Sequence, residues 1–321
     1  MTDKPGIVFF GTPVFAVPSL ELLHASGHPI LAVVTAPDKP AGRGQKLAAS
    51  AIKEFAVSKN IPVLQPINLS DESFIDSLKK LNASVFVVVA FRMLPKSVWS
   101  LPPLGTFNLH ASLLPQYRGS APINWAIING EKETGLTTFF IEEKIDTGKI
   151  IFQERTMIGK SETAGELHDR LKITGATLVQ KTVDAIIAGN VITVDQAEIA
   201  DKQKLKPAPK LNRENTRIDK TRTFEEACNF IHGLSPHPGA HTQLSNKMGI
   251  SFSLKIFYAS PHKEAHNYPA GTVMTDNKSF LKIYLRGGYI SVEDLQLAGR
   301  NRSRIKDFLN GLKFEDDWFI E

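Results

Sequence analysis

The chain has 321 residues, 42% of them hydrophobic and 22% charged, and carries a net charge of +5. At about 150 residues per domain this suggests two domains, each able to bury an ordinary core, and the composition excludes general disorder. The single Cys228 excludes an internal disulfide and points to a reducing, cytoplasmic setting, and the longest apolar run, Val85 to Phe91, is too short to span a bilayer.

In chain order, Ile7–Phe10 reads as a buried strand ending at Gly11. Pro13–His24 follows as a helix with Val14, Val17, Leu20 and Leu23 on one face and Pro18 in its first turn. Ile30–Thr35 is a second strand, residues 38–46 a loop, and Ala49–Lys59 and Ser73–Leu81 are helices. Val85–Ala90 is a β-branched central strand, and Thr106–His110 another. Alternation of continuous apolar strands with helices means a mostly parallel sheet covered on both faces. Gly135–Ile141 and Ile150–Phe152 read as later strands joined by a polar turn, Thr163–Ala188 as a long amphipathic helix, and Asn190–Asp195 as a short last strand.

The composition then changes. Residues 201–222 are poor in apolar side chains and contain Pro207 and Pro209. Beyond Asp201 they carry eight Lys and Arg against Glu214 and Asp219. This reads as an extended basic linker between a domain at 1–200 and another at 223–321. In the latter, a helix at Phe224–Ile231 precedes strands at 250–258, 271–275, 280–285 and 289–297, a pattern that fits a small barrel or sandwich. A helix at Ser303–Asn310, capped by Ser303 and Gly311, ends it. Residues 1–201 are near neutral, whereas 202–321 hold 19 basic against 13 acidic residues. A basic excess suits nucleic acid, but charge alone serves solubility equally well.

Several signatures are absent. Gly11-Thr12-Pro13 lacks the glycines of a dinucleotide loop, and Gly159-Lys160-Ser161 lacks the earlier glycine of a phosphate loop, Glu154 standing there. His232, His237 and His241 lie among Pro236, Pro238 and Gly239 with no Cys or carboxylate at ligand spacing, so they read as surface histidines of a turn. No metal is expected. The start, Met1 to Pro5, lacks the pattern of a secretory signal, so no membrane association is expected either.

The informative stretch is 107–125. Asn108 and His110, two apart on one strand, project to the same face, and Asp146 follows on a turn between two strands. An amide donor, a histidine and a carboxylate together suit attack on a carbonyl through a charged tetrahedral intermediate. The same spacing also fits two turn residues and a satisfied polar strand end.

Asn108-Leu-His-Ala-Ser-Leu-Leu-Pro115 with Tyr117-Arg118-Gly119, followed by Asp146-Thr147-Gly148, resembles the folate-dependent formyltransferases. Phe9–Ala16, Pro37–Gly44 and Ala208–Asp219 extend the resemblance to those members that act on methionyl-tRNA. It covers nearly the whole chain. It implies an α/β, Rossmann-like catalytic domain followed by a small OB-like β-barrel that binds tRNA. A monomer is expected, though the sequence does not fix the oligomeric state. The implied reaction moves the formyl group of 10-formyltetrahydrofolate to the α-amino group of methionine on initiator tRNA. A formyltransferase acting on an amino-sugar nucleotide would share the same three residues, and a noncatalytic RNA-binding protein would not need them.

The resemblance further implies catalytic roles for Asn108, His110 and Asp146. It places the folate near Phe91, Arg92, Met93 and Leu94, with Ser112, Leu113, Leu114 and Pro115 shaping the pocket wall. RNA contacts are implied at Arg43, Lys39 and Lys46 in the first loop and at Lys206 and Lys210 in the linker. Lys149, Lys220 and His232 depart from the family pattern, outside the catalytic trio.

Overall fold

The computed structural model describes residues 4–41, 46–200, 204–311, 313–314 and 317–321, with 41, 46 and 47 through their backbone. It divides into two compact units. One comprises 1–119, 135–156 and 168–207; the other 120–134, 157–167 and 208–321.

The elements run β1 (Ile7–Gly11), α1 (Val17–Ala25), β2 (Ile30–Val34), β3 (Lys39–Ala41), β4 (Lys46–Ala48), α2 (Ala51–Ser58) and β5 (Val63–Leu64). There follow α3 (Glu72–Lys80), β6 (Val85–Val89), α4 (Lys96–Trp99), β7 (Thr106–His110), α5 (Pro122–Ile128), β8 (Glu133–Phe140), β9 (Ile150–Met157), α6 (Ala164–Ile187) and α7 (Gln196–Ala200). The chain ends with α8 (Phe224–Gly233), β10 (Ala240–Asn246), β11 (Ser251–Lys263), β12 (Val273–Thr275), β13 (Leu281–Leu285), β14 (Gly288–Leu297), β15 (Ser303–Arg304), α9 (Ile305–Asn310) and β16 (Trp318–Ile320).

The first unit is built on a seven-stranded sheet in the order β5-β2-β1-β6-β7-β8-β9. The strands from β5 to β7 are parallel, and β8 runs antiparallel to β7. Ile7, Val8, Phe9 and Phe10 of β1 are all fully buried, which requires cover on both faces of the sheet. Alternation along the strand sends Val8 and Phe10 into a cluster with Phe74 and Leu78 of α3 and Val98 of α4. On the opposite face α6 lies close, the missing side chain of Gly175 admitting Leu109 of β7. By register Asn108 pairs with Val88, so Asn108 and His110 share the α3 side of the sheet.

Pro18 sits at the start of α1, where its missing N–H costs nothing, and Ser50 caps α2 by accepting from the Lys53 N–H. Four expectations are corrected. Lys39–Ala41 pairs antiparallel with Lys46–Ala48, as β3 with β4, rather than lying in a loop. The strand expected at 190–195 is only an isolated bridge between Ile150 and Val194, because Val194 alone finds a partner. Arg304, not Ser303, stands at the N-cap of α9 and makes no side-chain cap, since Ser303 is taken up in β15. His232 is buried rather than on a surface turn. Its Nε2 lies 2.9 Å from the Ala259 carbonyl, its ring stacks on Tyr258, and burial pushes its pKa down.

The second unit is an antiparallel sheet in the order β12-β13-β14-β11-β10-β16, with β15 on β14. Its two ends meet through a bridge between Thr272 and Phe319, closing the sheet into a barrel that leaves few free edges. Helix α8 begins with a reciprocal Thr223–Glu226 capping box and buries Ala227, Cys228, Phe230 and Ile231 against Leu254, Ile256, Ile283 and Leu295. Helix α5 joins this unit, Asn124 donating to the Gly233 carbonyl at 2.7 Å. Residues 208–222, read from composition as linker, are partly built in: Ile218 is in the same core and donates its N–H to the His241 carbonyl.

Two tests follow from this packing. Ile218→Ala is expected to remove about 2–5 kcal/mol of stability, read as a lower midpoint in urea; an unchanged midpoint would mean that the segment is not anchored there. Burial pushes the Cys228 thiol up to about 12. It should therefore resist iodoacetamide in the folded chain at pH 8 and react once the chain is unfolded in guanidinium.

Candidate active site

His110 ends β7 and is buried. Its Nε2 lies 2.9 Å from the carbonyl oxygen of Tyr117, which can only accept, so Nε2 carries a proton. That leaves Nδ1 facing the Asp146 carboxylate, with Oδ2 at 3.9 Å. The same Oδ2 accepts the Gly119 N–H at 2.9 Å. Asn108, two residues before His110, is half-buried, and its amide has no hydrogen-bond partner among the described residues. The three residues chosen from spacing thus fall on one strand and one loop. The structure brings His110 and Asp146 together and leaves the Asn108 amide available.

Asp146 does not reach His110 by a simple turn. Strand β8 leaves β7 at its far end, where the Ile141 N–H donates to Thr106 at the start of β7. Loop 141–149 then folds back along the strand, because Asp146 meets His110 at the opposite end. Asp146 pays for this with a left-handed backbone, φ +54°, which Asp tolerates better than most residues. Gly148 permits the close return. A Cβ there would lie 1.7 Å from the Phe140 carbonyl oxygen.

The loop after His110 is pinned from behind. Thr137 donates its hydroxyl to the Ser112 carbonyl and accepts the Leu114 N–H, while the Gln153 amide donates to the Leu114 carbonyl and to Thr137. Ser112 is fully buried and donates to the Gln116 carbonyl. Leu114 packs with Phe139 and Ile150, and Pro115 is buried. Of the stretch 112–115 only Leu113 is partly exposed, so these residues shape the loop from within.

The segment after β6 differs. Leu94 belongs to the core, and Phe91 packs edge-on against Phe10. The Arg92 guanidinium donates to the carbonyls of Pro66 and Ile67, which commits it to the scaffold. Met93 is exposed. Among the described residues the backbone N–H and C=O groups of Phe91, Arg92 and Met93 have no hydrogen-bond partner. They form a ready edge for a planar polar ring.

Lys39, Lys206 and Lys210 are exposed. Arg43 lies outside the described residues, as does the side chain of Lys46. The Lys206 backbone is held to the loop after His110: its N–H donates to the Gln116 side chain and its carbonyl accepts the Tyr117 N–H. Two glutamines were passed over in sequence, Gln116 and the buried Gln196. Gln116 lies within the motif stretch without a role of its own there, and Gln196 lies outside any motif; only their tertiary partners mark them. No group of three or more His, Cys, Asp or Glu side chains that could hold a metal occurs among the described residues. Nor is any described helix long and apolar enough to cross a membrane.

Residues 6–198 match the family model for formyl transferase, and residues 210–313 that for the formyl transferase C-terminal domain. The chain belongs to the formyl transferase family. A methionyl-tRNA formyltransferase of Flavobacterium johnsoniae is 51% identical over 315 residues, 98% of each chain. One from Bacteroides thetaiotaomicron is 47% identical over 97% of each. Among solved structures, the sugar 3N-formyl transferase WlaRD, crystallised in the presence of dTDP and 5-N-formyl-THF, has a TM-score of 0.65 at 21% identity, covering 93% of this chain and 99% of its own. That likeness bears on the fold, an open sheet domain followed by a smaller one.

In this formyl transferase, Gly148→Ala is expected to push the Asp146 loop off the Phe140 carbonyl. The cost is about 1–3 kcal/mol of stability, with loss of turnover. Urea unfolding and a formyl-transfer assay read the two effects, and wild-type behaviour in both would refute the close return.

Proposed function

We propose that this formyl transferase moves the formyl group of 10-formyltetrahydrofolate to the α-amino group of methionyl-tRNA, giving N-formylmethionyl-tRNA for initiation. The observation that carries the reading is the end-to-end similarity, through both domains, to methionyl-tRNA formyltransferases at about half identity. The sugar-acting relative is far more distant in sequence. The free backbone groups of Phe91 to Met93 and the apolar side chain of Met93 suit a pterin, whose ring offers donors and acceptors on its edge and apolar faces.

In the proposed mechanism the methionine amine attacks the formyl carbon, so a C–N bond forms and the carbonyl π pair moves onto oxygen. The Asn108 amide donates to that oxyanion, as does His110 once Nδ1 takes up a proton. Asp146 takes the proton released by the amine. The intermediate collapses by breaking the bond between the formyl carbon and the folate nitrogen, which leaves with a proton returned from the site. Tyr117 holds His110 through Nε2, so the ring keeps the face it presents. Lys206 and Lys210, both exposed, contact tRNA phosphates, and the same role is assigned to Arg43, Lys39 and Lys46.

The test supplies the purified chain with 10-formyltetrahydrofolate and, in parallel, charged initiator tRNA and a nucleotide-linked amino sugar. Formyl-methionyl-tRNA is expected; transfer to the sugar alone overturns the reading. His110→Ala should lower kcat by on the order of 10²–10⁴ while leaving the tRNA Kd nearly unchanged. Near-normal turnover in that variant would remove His110 from the mechanism. Lys210→Ala should instead weaken tRNA binding and flatten its dependence on salt.

A further inference from the structure

We propose that Gln196 is a positioning residue for formyl transfer, its amide holding the Asp146 loop on one side and Arg118 on the other. The proposal rests on the assignment of Asp146 to the reaction.

Gln196 opens α7 and is 1% exposed. A glutamine is rarely buried so completely, and burial is costly unless its amide is satisfied. Here it is. Its Oε1 accepts from Nε and Nη2 of Arg118, at 3.0 and 2.6 Å. Its Nε2 donates to the carbonyls of Asp146 and Gly148, at 3.0 and 2.8 Å. Guanidinium donors on one side and carbonyl acceptors on the other allow only one orientation of the amide.

These partners are the two segments that set the carboxylate. Gly119, next to Arg118, donates to Asp146 Oδ2, and Asp146 and Gly148 carry the folded-back loop. That loop crosses back along β7 with its key residue in a left-handed conformation, so side-chain pegs must hold it. Gln196 ties both pegs together, with the carboxylate between them and His110 Nδ1 beyond. An error of about an ångström in such a group costs on the order of a hundredfold in rate.

Gln196→Glu separates the two halves of the clamp. A carboxylate still accepts from Arg118, with added charge, but it sets an oxygen against the carbonyls of Asp146 and Gly148. Gln196→Met keeps the length and removes all four hydrogen bonds. The experiment measures kcat, KM for charged tRNA and for 10-formyltetrahydrofolate, the pH dependence of kcat, and the Tm of the full chain, with Asp146→Asn alongside. For Gln196→Glu, kcat is expected to fall about tenfold to a hundredfold. Both KM values should stay within about threefold, the pH profile of kcat should be displaced, and Tm should fall by no more than a few degrees.

Wild-type kcat and pH profile in a folded Gln196→Glu overturn the proposal, as does a loss confined to KM. Unfolding of both Gln196 variants makes the residue structural and overturns it equally. If Asp146→Asn keeps wild-type kcat, the underlying assignment fails instead; if Asp146→Asn is inactive while Gln196→Glu is normal, only the role of Gln196 fails.

Discussion

The site depends on a carboxylate held far from where its own strand ends. Strand β8 runs antiparallel to β7 and delivers the chain to the start of β7, but His110 is at the other end. The loop has to return along the strand without a ladder of its own. It does so through a glycine that allows van der Waals return past Phe140, a left-handed Asp146, and hydrogen bonds from Gly119 and Gln196. Each is a local cost or a single contact, and together they place one oxygen 3.9 Å from the His110 ring.

The elements behind that loop are buried and hydrogen-bonded in place. The parallel strands are buried on both faces, and the loop after His110 is pinned by Thr137 and Gln153 from the neighbouring strands. Rigid elements behind and adjustable loops in front is the arrangement in which catalytic geometry survives while substrates come and go. The Tyr117 carbonyl fixes the tautomer of His110, and Lys206 pairs with the backbone of the same loop. The basic segment therefore passes against the loop after His110 rather than at a distance from it.

Much of this was legible in sequence. Asn108 and His110 lie two apart in a run of strand-forming residues, so their shared face follows from the pleat alone. Strands β1 and β6 announce themselves by unbroken apolar runs, and β7 by its place in the alternation of strands and helices. The pieces that escaped are short or are made by partners. The two residues of β5 and the three-residue β16 carry no period to detect. Helix α5, beginning at Pro122, lies in a stretch to which the sequence pattern assigns no element. His232 looked like a surface residue because its neighbours are Pro and Gly; the stacking of Tyr258 and the Ala259 carbonyl that bury it come from β11, a strand removed in sequence.

The sequence by itself determined the alternation of strands and helices in the first unit, the run of antiparallel strands after the basic segment, and the family to which the chain belongs. These are local patterns, set by side-chain chemistry and backbone period. Tertiary structure alone decided that α5 folds with α8 and the barrel, that Ile218 anchors its segment in that core, and that Arg92 and Leu94 serve the scaffold. It alone decided that Gln196 stands behind Asp146. The physical reason is the same in each case. Burial and hydrogen-bond satisfaction belong to pairs of groups, and where the two members lie tens of residues apart, neither carries the information alone.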